Sequence, residues 1–422
     1  MCGRHRHLLP VPEQSKPKFA MGHFQFVAMM AMIGAIQALG IDAMLPALGL
    51  IANELDVPDP NDRQFVLGIY MIGMAVGALA IGFLADRYGR RIVTISAIAL
   101  YALLNIACGL AKDFTILLGL RFLTGVVSAG GGVMSITIIR DRFYGDRMAS
   151  VQSLVAIVFM AVPILAPALG QLVLMFGGWR EIFFVMAAMS AALTVWVALL
   201  LPETLDDANR QPIAPLTLFR NFGVVARNRD AFGYMVGSAL VMGGLFGFIN
   251  TAQQLLMSHF GVGGSFALIF GVMASSLVVT NFVNSRIVEK HGARRVSHAA
   301  ILIFIAAAAG QVIAAIVAPD SLALFMILMM LNLAMFGFLG ANFTSIALQP
   351  FGRLAGAAAS LQTTMRTGGG ALLGIAIGAA YDGTALPLAA SMVVLAVIAL
   401  AFVAFSEGGK LFRRRSEAIA QV

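Results

Sequence analysis

Three charged residues stand inside long hydrophobic stretches: Asp42 in IDAMLPAL, Arg121 in LRFLTG and Arg366 in LQTTMRTGGG. A charge in hydrocarbon costs at least ~2.5 kcal/mol on insertion scales, so such residues usually face a cavity and serve function. A carboxyl group at the rim of a cavity can bind and release a proton, because burial favours its neutral form and a nearby cation its ionised form. Asp42 is therefore a candidate proton site; the alternative is an aspartate that caps or snorkels near the end of its helix. Arg121 is its candidate electrostatic partner; the alternative is a cation neutralised by backbone carbonyls for packing. Arg366, with Gln362 one turn earlier, has a substrate-facing and a packing reading. Asn250, Gln253, Gln254, Asn332 and Asn342 could orient a ligand or simply tie helices together.

Membrane helices have to hold these groups. Of 422 residues, 60% are hydrophobic and 11% charged, against about 25% charged in soluble domains. Too few charges remain to cover a water-facing surface, which excludes a soluble enzyme. Apolar runs long enough to cross ~30 Å of hydrocarbon recur from residue 19 to residue 406. They are not the ~10-residue alternating segments of an outer-membrane barrel. Read as helices, they give twelve spans at roughly 19–47, 64–84, 92–111, 114–139, 148–172, 179–201, 229–258, 264–288, 296–317, 321–348, 354–380 and 384–406. The longest internal polar stretch, 202–228, separates two halves, 19–201 and 229–406, with tails at 1–18 and 407–422.

Charge sets the orientation. With the N-terminus inside, most of the 28 lysines and arginines fall on the inner side, while the outer loops hold Arg63, Lys112 and Arg180 among several acids. That bias places both termini in the cytoplasm. Trp179 and Trp196, about 26 Å apart along a helix, read as anchors at the two interfaces. Asp42 lies about 15 Å from the outer end of its span and Arg121 about 10 Å from that of its own, so the two charges share a depth. The net charge of +8 is this topology rather than a nucleic-acid footprint. The N-terminal residues, Arg4-His5-Arg6-His7 onward, are too polar for a signal peptide.

Other chemistries find little support. The two cysteines and six histidines form no metal-binding spacing and no nucleophile–base set. No GxxxxGK[ST] loop is present for ATP-driven transport, and no filter-like repeat suggests a channel. No cofactor, metal or nucleic acid is expected.

The loop GFLADRYGRR (82–91) recurs in degenerate form as SRIVEKHGAR (285–294), half a chain away. Asp86 aligns with Glu289, Arg87 with Lys290, Gly89 with Gly292 and Arg91 with Arg294. Two six-span halves around an axis normal to the membrane describe a transporter with a site near the midplane. GFLADRYGRR resembles the signature loop of the major facilitator superfamily. IDAMLPAL, LRFLTGVVSAGGG, PILAPALGQ…GGWREIFF and LPETL are similar to its Bcr/CflA-type drug:proton antiporters.

The resemblance implies an all-α major facilitator fold, its halves related by pseudo-twofold symmetry. It implies proton coupling at Asp42, with Arg121 in communication with it. It makes Asp86, Arg87, Gly89, Arg90 and Arg91, with Arg142 and its neighbours Arg140 and Asp141, a cytoplasmic latch. It also makes Pro163, Pro167 and Gly170 a helix-bending motif where the halves meet, although Ala166 and Gln171 stand where the family usually shows glycines. The expected activity is proton-driven efflux of small, largely hydrophobic drugs across the inner membrane by a monomer. A proton-coupled importer or metabolite exporter is the alternative.

Overall fold

The computed structural model describes residues 21–143, 145–205, 210, 215–351 and 354–412. The expected tail 1–18, Arg353 and the basic residues from 413 onward lie outside the described residues. Among those described, eleven helices are long and apolar enough to cross a membrane.

The first half begins with α1 (His23–Asp42), which continues through a 3-10 turn at Leu45–Ala47 into α2 (Leu48–Glu54). Then come α3 (Phe65–Tyr88), α4 (Arg90–Gly109), α5 (Phe114–Arg142), α6 (Gly145–Leu174) and α7 (Trp179–Leu200). α8 (Pro215–Ala226) is a short connecting helix. The second half comprises α9 (Arg229–Gln253) with a π-helical end at Gln254–His259, α10 (Phe266–His291), α11 (Ala293–Val317) and α12 (Leu322–Leu348). Its next span is broken: α13 (Ala355–Thr364) and α14 (Gly370–Ala379) flank a π-turn at Met365–Gly369, which brings the passes to twelve. α15 (Leu386–Ser406) closes the fold. The even number of passes puts the start of α1 and the end of α15 on one face, termed here the terminal face; the other is the distal face.

Three expectations need correction. Span one does not end at residue 47 but runs on to Glu54, because a single 3-10 turn carries the chain past Pro46 without reversing it. The segment 202–228 is not polar loop throughout, since α8 occupies its second part and buries Val225. Trp179 is no interfacial anchor. It is buried, and its indole N–H donates to Glu54 at 2.5 Å, where Arg180 also pairs with that carboxylate.

Packing within the first half is backbone to backbone where it matters. Side chains at Gly73 and Gly77 on α3 would collide with the backbone of α5 at Phe122 and Val126, and one at Gly125 with Tyr70. Small residues permit this approach, which carries Arg121 against α3 and α1. The halves meet along α3 with α13 and α14, and along α6 with α10.

Candidate functional site

The site begins with a proline. Pro46 has no N–H, so the carbonyl of Asp42, four residues earlier, loses its helical partner and α1 stops there. Two residues after Asp42, the Met44 N–H donates to Ile41 at 3.3 Å rather than to Gly40, four residues earlier, which leaves the Gly40 carbonyl open. Arg121 takes it: Nη2 donates to Gly40 O at 2.6 Å, while Nε donates to Val66 O at 3.0 Å. The guanidinium lies over the Tyr70 ring, 4.2 Å from its centroid, and is fully buried. Carbonyls and an aromatic face thus offset the cost of the cation. Tyr70 donates to the carbonyl of Gln37 and Tyr101 to that of Ile36, so three side chains grip the same stretch of α1.

Asp42 is buried at 5% exposure. Among the described residues, its carboxylate has neither an ion pair nor a hydrogen bond. The expected Asp42–Arg121 pair is therefore not formed. The pairing of these two spans was inferred from a shared depth and from the family resemblance, and the open carbonyl at Gly40 competes for the guanidinium. One terminal nitrogen of Arg121, Nη1, remains buried without an acceptor among the described residues.

The candidate ligand-facing residues separate into two groups. Gln254 belongs to a clamp: it accepts from Gln64, donates to Asn61 at 2.8 Å, and so joins the halves at the distal face. Gln64 also reaches Gly378 at 3.0 Å and Asn61 reaches the Tyr381 carbonyl at 2.9 Å. Asn342 is spent on Asn284, and Asn332 donates to Gln311 while its own Oδ1 is buried without a partner among the described residues. Gln254 and Asn342 are corrected to structural roles. In contrast, among the described residues both amide atoms of Asn250 and of Gln362 are buried without a partner, as is Oε1 of Gln253. Arg366 sits in the π-turn, half-buried, with no acceptor among the described residues. Such turns are rare and recur at functional sites.

On α6, Pro163 and Pro167 lie inside the helix, and Gly170 lets it approach the Ala43 carbonyl beside the α1 break. Gln171, a departure from the resembling family, forms a second clamp: it donates to Gly264 at 2.6 Å and accepts from the Ala267 N–H at 3.3 Å.

At the terminal face, Arg90 bridges Asp86 at 2.5 Å and Asp141 at 3.1 Å. Gly89 turns the chain at φ +101°, a conformation that disfavours other residues. Arg91 donates to the Ala198 carbonyl at 2.7 Å, whereas Arg87 is exposed and Arg142 lies near the Phe143 ring. Sequence reasoning missed Glu203, whose carboxylate accepts from the backbone N–H groups of Arg90 and Arg91 at 2.8 and 3.2 Å. It caps the start of α4. In the second half Glu407 stands at the corresponding place but takes side chains instead of helix-start N–H groups, accepting from Arg294 and from Tyr234, both at 2.8 Å. LPETL, quoted only as a resemblance, held that signal.

The family model described as Major Facilitator Superfamily matches residues 30–374. A bicyclomycin resistance protein homolog from Haemophilus influenzae is 29% identical over 390 residues, covering 90% of this chain and 96% of that protein. The multidrug resistance protein MdtL of Escherichia coli is 32% identical over 246 residues, 58% of this chain and 61% of its own. Among solved structures, a bacterial homolog of the human lysosomal transporter Spinster, inward-facing and unoccupied, superposes with a TM-score of 0.71 at 17% identity, covering 92% of this chain and 97% of that one.

Proposed function

The chain belongs to the major facilitator superfamily, and from that premise we propose that it exports small, largely hydrophobic drug-like molecules in exchange for protons. The chloramphenicol and bicyclomycin classes are the first substrates to test, since a relative along most of the length is named for bicyclomycin resistance. In this reading the protein works as a monomer in the inner membrane, with the terminal face cytoplasmic and without a cofactor. The segments 19–201 and 229–406 rock against each other, linked by 202–228.

One observation carries the reading: Asp42 is a buried carboxyl without a counter-charge at a break in span one, two residues from the carbonyl that holds Arg121. Protonated, Asp42 needs no partner. Ionised, it needs a donor, and Nη1 of Arg121 is a buried donor with nothing to bond. Proton loss thereby rewards a rearrangement of α1 against α5. Substrate enters on the same equilibrium from the other side, with Arg366, Gln362 and Asn250 supplying polar contacts to it. Drug and proton then bias one two-state system in opposite directions. The distal clamps, Gln254 with Gln64 and Asn61 and Gln171 with Gly264, have to break for outward opening. The loop 82–91 serves as the cytoplasmic gate.

The test is drug transport by the purified protein in vesicles with an imposed pH gradient. Accumulation that follows the gradient and collapses with it is the expected result. Equal transport without a gradient overturns the antiport mechanism.

A further inference from the structure

We propose that a cleft between α10 and α11, opening on the bundle perimeter at the terminal face, binds an anionic phospholipid. α11 packs on α12 and α15 but stands apart from α10, and a cleft of about 370 Å³ opens between them. Met335 and Phe338 of α12 form its floor, and Ile287, Val296, Ala299 and Ile303 its walls. Ile287 and Ile303 are exposed toward the perimeter, so the slot is open sideways to hydrocarbon.

Its mouth is charged. His291 ends α10, and Arg295 stands in the first turn of α11. From Arg295 to Ile303 the helix advances about 12 Å, so the cleft leads from headgroup level into the acyl layer. Arg295 is exposed and uses only Nε, donating to the Phe412 carbonyl at 3.1 Å. No acid pairs with it among the described residues; the nearby Glu407 is held by Arg294 and Tyr234.

Phe412 closes one side and is pinned there. Its N–H donates to His298 at 3.0 Å, its ring stands edge-on to that imidazole, and its φ is +63°. The turn itself does not demand the mouth's charge, because the aligned positions of the first half are Tyr88 and Ile92. An apolar slot under an unpaired cation matches a lipid with a negative headgroup. A zwitterionic lipid would fill the slot without answering Arg295.

Native mass spectrometry of the purified full chain, with added phosphatidylglycerol or phosphatidylcholine, tests this. Wild type should retain one phosphatidylglycerol with a preference of about fivefold over phosphatidylcholine, the scale expected of one arginine at a membrane surface. Arg295→Ala should bind both lipids equally. Ala299→Trp, at an exposed cleft position, should fill the slot and lose both. Arg227→Ala, which removes an exposed charge elsewhere, should behave as wild type. Full preference in Arg295→Ala, undiminished lipid in Ala299→Trp, or an equal loss in Arg227→Ala would each overturn the assignment.

Discussion

Arg121 holds the carbonyl of Gly40 at 2.6 Å, two residues before the carboxylate that sequence reasoning assigned to it. Cation and acid share a helix segment without sharing a bond. An arginine anchored on carbonyls keeps its place while Asp42 is neutral and has one nitrogen free when Asp42 is charged. That arrangement makes the two residues separable by experiment.

Asp42→Asn should fold with a melting temperature at or above that of wild type, because an amide there carries no charge to desolvate. Drug binding should persist while drug-triggered proton release disappears, as read with a pH dye on the purified protein. Retained proton release would move the proton site elsewhere.

Arg121→Lys should fail where a charge alone would suffice. An ammonium cannot reproduce the planar fork that reaches Gly40 and Val66 together. Losing one charge-assisted bond should cost about 1.5–3 kcal/mol, measured by chemical unfolding in detergent. Transport should fall with it, whereas a purely electrostatic partner would tolerate lysine.

Gly89 and Glu203 should couple. A side chain at Gly89 would both require a positive φ and collide with the Glu203 carboxylate. Gly89→Ala should cost about 1–3 kcal/mol, and Glu203→Ala about 1 kcal/mol through the lost cap. The double variant should be less destabilised than the sum, because the collision vanishes while the backbone strain stays. Additive melting shifts would contradict the geometry.

The distal clamps should set the access equilibrium. Gln254→Ala removes the bonds to Gln64 and Asn61, and Gln171→Gly removes those to Gly264 and Ala267. Each should raise the labelling rate of a cysteine placed at Tyr381, which lends the clamp only its backbone carbonyl, measured with a membrane-impermeant thiol reagent from the distal side. Unchanged labelling would mean that these bonds do not hold the face closed.

Periodicity and charge made most of the fold legible. Each span needs only its own apolar length, and a loop's sidedness needs only its own charges. Partners were less legible, because hydrogen bonds between distant segments leave no local trace. Gln254 and Asn250 look alike in the sequence, yet one is fully bonded and the other bears two orphaned atoms. Glu203 was hidden for the same reason: it caps a helix that begins more than a hundred residues earlier.

The sequence by itself determined a twelve-pass helical membrane protein and its repeated loop, and picked out Asp42, Arg121 and Arg366 as charges in apolar company. It could do so because burial of apolar surface and the cost of a charge in lipid are properties of short segments. Only the tertiary structure decided what each charge touches. At the break before Pro46 the Met44 N–H turns away from the Gly40 carbonyl, glycines on α3 and α5 bring the helices together, and Arg121 binds that carbonyl while Asp42 stays unpaired among the described residues. That choice depends on which acceptor lies within about 3 Å, a distance that no spacing in the chain encodes.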